Sequence, residues 1–181
     1  MQLSRLSLRR NRLSPDAVNT CLVPGNAPGR LAHSLRELDL SSNGLHTVPE
    51  ALFHCHGLQT LVLAYNALTD LSHLHWAALS VLETLDLSSN RLTNLGGVTG
   101  MTWIRHLNLE NNDISVIPPE LGLCTALESL QLAGNPQRQL SASALEKGTS
   151  AILRNLRDRL TPSSSSSSPR VPTVAPPLPL P

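Results

Sequence analysis

Leu35-Arg36-Glu37-Leu38-Asp39-Leu40-Ser41-Ser42-Asn43-Gly44-Leu45 is a stretch that this chain repeats. It returns almost unchanged as Leu82-Glu83-Thr84-Leu85-Asp86-Leu87-Ser88-Ser89-Asn90-Arg91-Leu92, and looser copies occupy 3–13, 58–68, 104–114 and 127–137. Copies starting at 35, 58, 82, 104 and 127 lie 23, 24, 22 and 23 residues apart, while the first, at Leu3, precedes the second by 32. Self-similarity at such a period means that each copy is one coil, which buries its apolar side only against its neighbours.

The chemistry of one coil follows from the spacing. Leu38 and Leu40 alternate with Asp39, which predicts a short strand with the leucines inward and the aspartate outward. Asn43 then ends the strand, because its amide bonds backbone groups of a turn. Stacked coils would align these residues into a ladder of Asn11, Asn43, Asn66, Asn90, Asn112 and Asn135. Thr47-Val48-Pro49-Glu50-Ala51-Leu52 and Val116-Ile117-Pro118-Pro119-Glu120-Leu121 return along the outer side, and their prolines argue against a regular helix there. Strands one repeat apart must be parallel neighbours. Six of them at ~4.8 Å spacing give a sheet only about 25 Å across, enough for a loop or helix of a partner.

The two ends differ from the middle. Residues 14–34 form an insertion in the first repeat, with Ser14-Pro15-Asp16 as a helix start and Pro24 to Gly29 as a turn-rich loop. In the last repeat Gln137 stands in a leucine position after Pro136. Residues 138–160 then turn helical, with Leu145, Thr149, Ile152, Leu153, Leu156 and Leu160 on one face. Ser143-Ala144-Leu145-Glu146 fits a capping box, and Gly148 is a point at which the helix can divide. Such a helix covers the open end of a solenoid. Residues 161–181 hold Ser163 to Ser168 and a proline-rich ending, a composition too poor in apolar residues to bury a core, so disorder is expected. At the other end Leu3 already occupies a repeat position, which suggests a first coil with an unpaired edge in a shortened or longer array.

The fold expected is therefore α/β: a solenoid with a short curved parallel sheet, an irregular or 3-10 convex side, a C-terminal capping helix and a disordered tail. Repeats fill 1–137, the cap 138–160 and the tail 161–181. Aromatic residues make up only 2% of the chain, so the core must consist of stacked leucines. A net charge of +1 supplies no field for nucleic acid or an anionic membrane. Cys21, Cys55 and Cys124 lack paired spacing, no asparagine lies in a glycosylation sequon, and the N-terminus has no apolar signal core. A cytoplasmic, reduced setting is the expectation. The repeats resemble those of intracellular leucine-rich repeat proteins with units near 23 residues, among them Ras-pathway scaffolds and the plant intracellular Ras-group proteins. The segment from Leu132-Ala133-Gly134-Asn135-Pro136 through Lys147-Gly148-Thr149 to Arg159 is similar to the C-terminal end of a longer member of that group. The resemblance implies a non-enzymatic, protein-binding role.

The concave face is where such a solenoid would bind a protein partner. Its middle column reads Ser7, Asp39, Val62, Asp86, Asn108 and Gln131, flanked by Arg36, Glu37, Glu83, Arg105, His106 and Glu110, with Tyr65 as the aromatic. The partner-binding residues expected are Arg36, Glu37, Asp39, Tyr65, Glu83, Asp86, Arg105, His106, Asn108 and Glu110. An ordinary solvated polar face is the competing reading of each one taken singly. His54, Cys55, His56, His73 and His75 lack a zinc-finger spacing, so no metal or other cofactor is expected. Arg5, Arg9, Arg10 and Arg12 lack the neighbouring aromatics of a nucleic-acid site. Pro176-Pro177-Leu178-Pro179 resembles a ligand for WW-type modules. No phosphate loop, nucleophile elbow or paired-carboxylate pocket appears, so no catalysis is expected. The alternatives are a regulatory or adaptor subunit, for a phosphatase or a ubiquitin ligase, and a truncated non-functional fragment.

Overall fold

The computed structural model describes residues 3–160 apart from 27 and 73. Six strands form one parallel sheet in chain order: β1 (Arg5–Ser7), β2 (Glu37–Asp39), β3 (Thr60–Val62), β4 (Thr84–Asp86), β5 (His106–Asn108) and β6 (Ser129–Gln131). The register is that of the repeat. Leu6, Leu38, Leu61, Leu85, Leu107 and Leu130 align as one inward row. The strand leucines and those that follow them, such as Leu40, Leu63 and Leu87, are wholly buried in the middle repeats. Stacked leucines thus form the core, as the low aromatic content implied. Phe53 and Trp76 meet edge to face at 5.7 Å on the return side.

The asparagine ladder is present and explains how coils are held to each other. Asn66 Oδ1 accepts from Asn43 N and Leu45 N at 3.0 Å each, and its Nδ2 donates to Leu40 O at 3.1 Å and Leu63 O at 2.9 Å. Asn43, Asn90, Asn112 and Asn135 repeat the arrangement. One side chain therefore satisfies backbone groups of two successive turns, which no apolar residue can do. Asn11 differs: its amide donates to its own Arg9 O, and the side chain is exposed.

Return segments are single 3-10 turns at Glu50–His54, Trp76–Ala78, Gly96–Gly100 and Pro119–Leu123, in keeping with the prolines of the first and last and the short lengths of all four. The first repeat, with more residues to place, returns through α1 (Pro15–Leu22) instead. Ser14 caps it by accepting from Ala17 N at 3.2 Å, as the Ser-Pro start predicts. Asn19 of α1 accepts from Ala51 N at 2.9 Å, which ties the insertion to the next turn. A second helix, α2 (Arg30–Ser34), follows the turn-rich loop in a stretch for which no element was expected; Gly29 precedes it and Leu35 closes it.

The C-terminal region is two helices, α3 (Ala142–Glu146) and α4 (Thr149–Leu160), divided at Gly148 with φ +82°. The capping box expected at Ser143 is displaced: Ser141 is the N-cap and accepts from Ala144 N at 3.2 Å. That position three residues on is Ala144, so no glutamate reaches back and the reciprocal half of a capping box is missing. α4 packs against the 119–123 turn, in the place that a sixth return turn would take. Thr149 Oγ1 accepts from Leu130 N at 3.0 Å, covering part of the β6 edge, and Arg157 donates to Gly122 O. Gln137, in its leucine position, turns its amide oxygen to Leu140 N at 3.3 Å, and Leu140 supplies the missing apolar contact. The tail 161–181, with the WW-type motif, lies outside the described residues.

Candidate functional site

The outward strand residues form two columns. One is Arg5, Glu37, Thr60, Thr84, His106, Ser129; the other is Ser7, Asp39, Val62, Asp86, Asn108, Gln131. The second matches the middle column read from the sequence, because parallel pairing without slippage preserves the repeat register. Of the residues expected to bind a partner, Glu37, Asp39, Asp86, His106 and Asn108 lie on this face. Tyr65 and Glu110 lie just beyond the strand ends. Arg36, Glu83 and Arg105 stand one residue before the strands, on the rim.

Several of these side chains also serve the fold. Asp39, Asp86 and Asn108 each accept the backbone N–H two residues on, from Ser41, Ser88 and Glu110 at 2.9, 2.9 and 3.0 Å. The bond holds the turn after each strand. Asp39 also accepts from Ser7 Oγ at 3.3 Å. Glu37 pairs with Arg5 at 2.7 Å, and the Arg36 guanidinium donates to Gly57 O at 3.0 Å. Arg105 is bound to Glu128, with Nε to Oε1 at 2.9 Å, and that bond raises the guanidinium's pKa. Glu83, Arg105 and Glu128 alternate in sign along the rim beside Trp103, whose indole N–H donates to Leu79 O at 3.1 Å.

Arg5, Thr60, Val62 and Glu128 were absent from the expected binding set. The repeat register finds the two charged ones, since Arg5 lies one repeat before Glu37 and Glu128 one repeat after Arg105. Tyr65 is 62% exposed and has φ +56°. Arg10, Ser42, Ser89, Asn111 and Gly134 hold the matching left-handed position in other repeats. Tyrosine tolerates that conformation less readily than serine, asparagine or glycine. An exposed ring held there is unusual among its repeats.

Among the described residues no three histidine, cysteine or acidic side chains converge on a metal-sized centre. His73 lies outside them. Cys55 is buried between exposed His54 and His56, and His56 Nδ1 lies 3.1 Å from Ala78 O. Burial pushes the Cys55 thiol up to about 11 and raises that of Cys124 as well. The protonated thiol is favoured by folding, so this contribution is complete below pH 9. It declines as pH rises from about 9, the unfolded value, towards about 11. Ellman's reagent at pH 8 should therefore titrate one thiol, the exposed Cys21, in the folded chain and all three in denaturant. Three fast thiols in the native chain would contradict this burial.

No helix of the described residues is long and apolar enough to cross a membrane. The family description "Leucine rich repeat" matches residues 33–92 and 80–136. The chain is 33% identical over 136 residues to adenylate cyclase of Schizosaccharomyces pombe, covering 74% of this chain and 8% of that protein. It is 37% identical over 138 residues to mouse podocan-like protein 1, covering 74% of this chain and 23% of that protein. Plant intracellular Ras-group-related LRR protein 8 of Oryza sativa is 34% identical over 101 residues, 54% of this chain and 26% of that protein. The chain thus spans about a quarter or less of the length of these relatives. Among solved structures, the LRR ectodomain of the receptor kinase SOBIR1 from Arabidopsis thaliana superposes with a TM-score of 0.56 at 28% identity. It covers 75% of this chain and 71% of that one. An internalin C2 of Listeria monocytogenes gives 0.54 at 28%, over 62% and 47% of the two chains. This fold is generally a non-enzymatic protein-interaction module. With six in-register strands, a five-rung asparagine ladder and the family pattern across 33–136, the chain belongs to the leucine-rich repeat family.

Proposed function

We propose that this chain is a non-enzymatic binding module that holds a protein partner on the concave face of its sheet, in a cytoplasmic signalling or scaffolding role. The observation that carries the reading is the exposed Tyr65 at the end of a strand flanked by Asp39 and Asp86, on a face whose backbone the ladder holds rigid. Rigid placement lowers the ordering cost of binding, and tyrosine is enriched among residues that dominate interfaces. Three free cysteines, two of them buried, suit a reducing compartment. The resemblance of residues 132–159 to the C-terminal end of leucine-rich repeat-containing protein 40 supports the intracellular reading, as does the likeness to the plant Ras-group protein.

The test is affinity capture from cell lysate with the full chain and with the triple variant Asp39→Arg, Tyr65→Ala, Asp86→Arg. The variant should lose its specific partners while melting within a few degrees of the wild type. Retention of every partner by the triple variant would remove the face from consideration. Loss of partners only on deletion of 162–181 would assign binding to the proline-rich tail and the WW-type motif.

A further inference from the structure

The sheet face has a definite pattern of charge. From β2 to β6 the outward strand residues are Glu37, Asp39, Thr60, Val62, Thr84, Asp86, His106, Asn108, Ser129 and Gln131, which include three carboxylates and no lysine or arginine. The whole chain carries a net charge of +1, so its cations have been placed elsewhere, on β1, the rim and the helices. Within the acidic part Asp39, Val62 and Asp86 stand in strict register on adjacent strands. A shallow, mostly apolar depression of about 270 Å³ runs over β1 to β3, lined by Arg5, Ser7, Glu37, Asp39, Thr60 and Val62, with the Glu37 carboxylate already paired to Arg5 and Asp39 carrying the other carboxylate. The apolar floor beside Asp39 and Val62 has room for a side chain with an aliphatic stem and a cationic tip.

The spacing selects the form of the ligand. Strands stand ~4.8 Å apart, so Val62 lies about 4.8 Å and Asp86 about 9.6 Å from Asp39 across the sheet. An α-helix laid across the strands presents residues i, i+3 and i+7 at 0, about 4.5 and about 10.5 Å along one face. An extended segment presents one face only every ~6.7 Å and misses both intervals. Resting on the concave-face reading above, we infer that the occupant is a basic amphipathic helix carrying Lys or Arg at i and i+7 and an apolar residue at i+3. The two cations meet Asp39 and Asp86, and the apolar residue meets Val62. Both aspartates accept from the turn, from Ser41 N and Ser88 N, so the acceptors are held in place before the helix arrives.

The probe is a fluorescent, alanine-based helical peptide with the pattern Lys-x-x-Leu-x-x-x-Lys, titrated with the full chain by anisotropy at about 50 and about 300 mM salt. The protein variant is Asp39→Asn with Asp86→Asn, since an amide oxygen retains the bond to the turn and removes only the charge. Binding should weaken about tenfold in the variant and lose most of its salt dependence. It should also weaken severalfold when the second lysine moves to i+5, or when a central proline breaks the peptide helix. Absence of binding, equal affinity for the shifted or proline peptide, or equal affinity of the variant each overturns the inference. The lysate capture separates the two ideas. Partners lost from the triple variant with no peptide binding leave the face intact and reject the basic helix. Peptide binding with every partner retained rejects the face as the natural site.

Discussion

Asn90→Ala should lower the stability of the chain by on the order of 3 kcal/mol, whereas Asn11→Ala should leave it within about 0.5 kcal/mol. The two residues occupy the same position of the repeat. Asn90 is 8% exposed, donates to Leu63 O and Leu87 O at 3.0 and 2.9 Å, and accepts from Leu68 N at 3.1 Å. The two carbonyls have other donors, from Asn66 and Asn112. Buried Leu68 N–H would be left with none, next to a space the size of an amide. The Asn11 side chain donates to Arg9 O at the exposed end, and the bond from its backbone N–H to Asn43 Oδ1 survives the substitution. Thermal melting is the measurement, and the Asn90 variant should fall by roughly 10 °C at ~2–4 °C per kcal/mol. Equal losses for the two variants would mean that the ladder contributes little beyond helping each turn by itself.

Gly122→Ala is expected to loosen the C-terminal cap without disturbing the sheet. A methyl group at Gly122 would sit 2.8 Å from Arg157 N and 3.1 Å from Leu153 O, both main-chain atoms of α4. Backbone cannot swing aside as a side-chain tip does, so the helix must move away. Movement exposes Ile152, Leu153 and Leu156, which are buried against the last repeats. Losing part of that packing costs about 2–4 kcal/mol, concentrated in the cap. Amide exchange should accelerate across 149–160 while the strand amides of β2 to β4 keep their protection. Gly100→Ala, whose added methyl meets nothing within 4 Å, should be nearly silent. Uniform acceleration throughout the chain would show instead that cap and sheet unfold as one unit.

Much of the fold was legible because a repeat states the same instruction six times. The leucine spacing specified strand, inward row and register, and the asparagine position specified the turn. Proline marked two of the four 3-10 returns, those at Glu50–His54 and Pro119–Leu123, and Ser14-Pro15 the start of α1. Reading failed where the signal was short or stated once. α2 spans five residues with no side-chain cap, and the box at Ser143 lost to Ser141, whose extended backbone let its hydroxyl reach Ala144 N. The site divides in the same manner. Which residues share a column follows from register alone, so the middle column was readable in full. The separation of Arg36, Glu83 and Arg105 onto the rim was not, because it depends on where pairing begins relative to each strand.

Local spacing therefore decided the architecture: strand direction, core composition, ladder and parallel order all follow from a period near 23 residues, since each coil can bury its leucines only against the next. Tertiary structure alone decided how the polar residues are used. It paired Arg105 with Glu128 and Glu37 with Arg5, and set Asp39 and Asp86 on either side of Val62. The two ion pairs join residues one repeat apart, and their partners are selected by distance and angle in the stacked solenoid. Residue type and spacing along the chain set the candidates, and stacking chose among them.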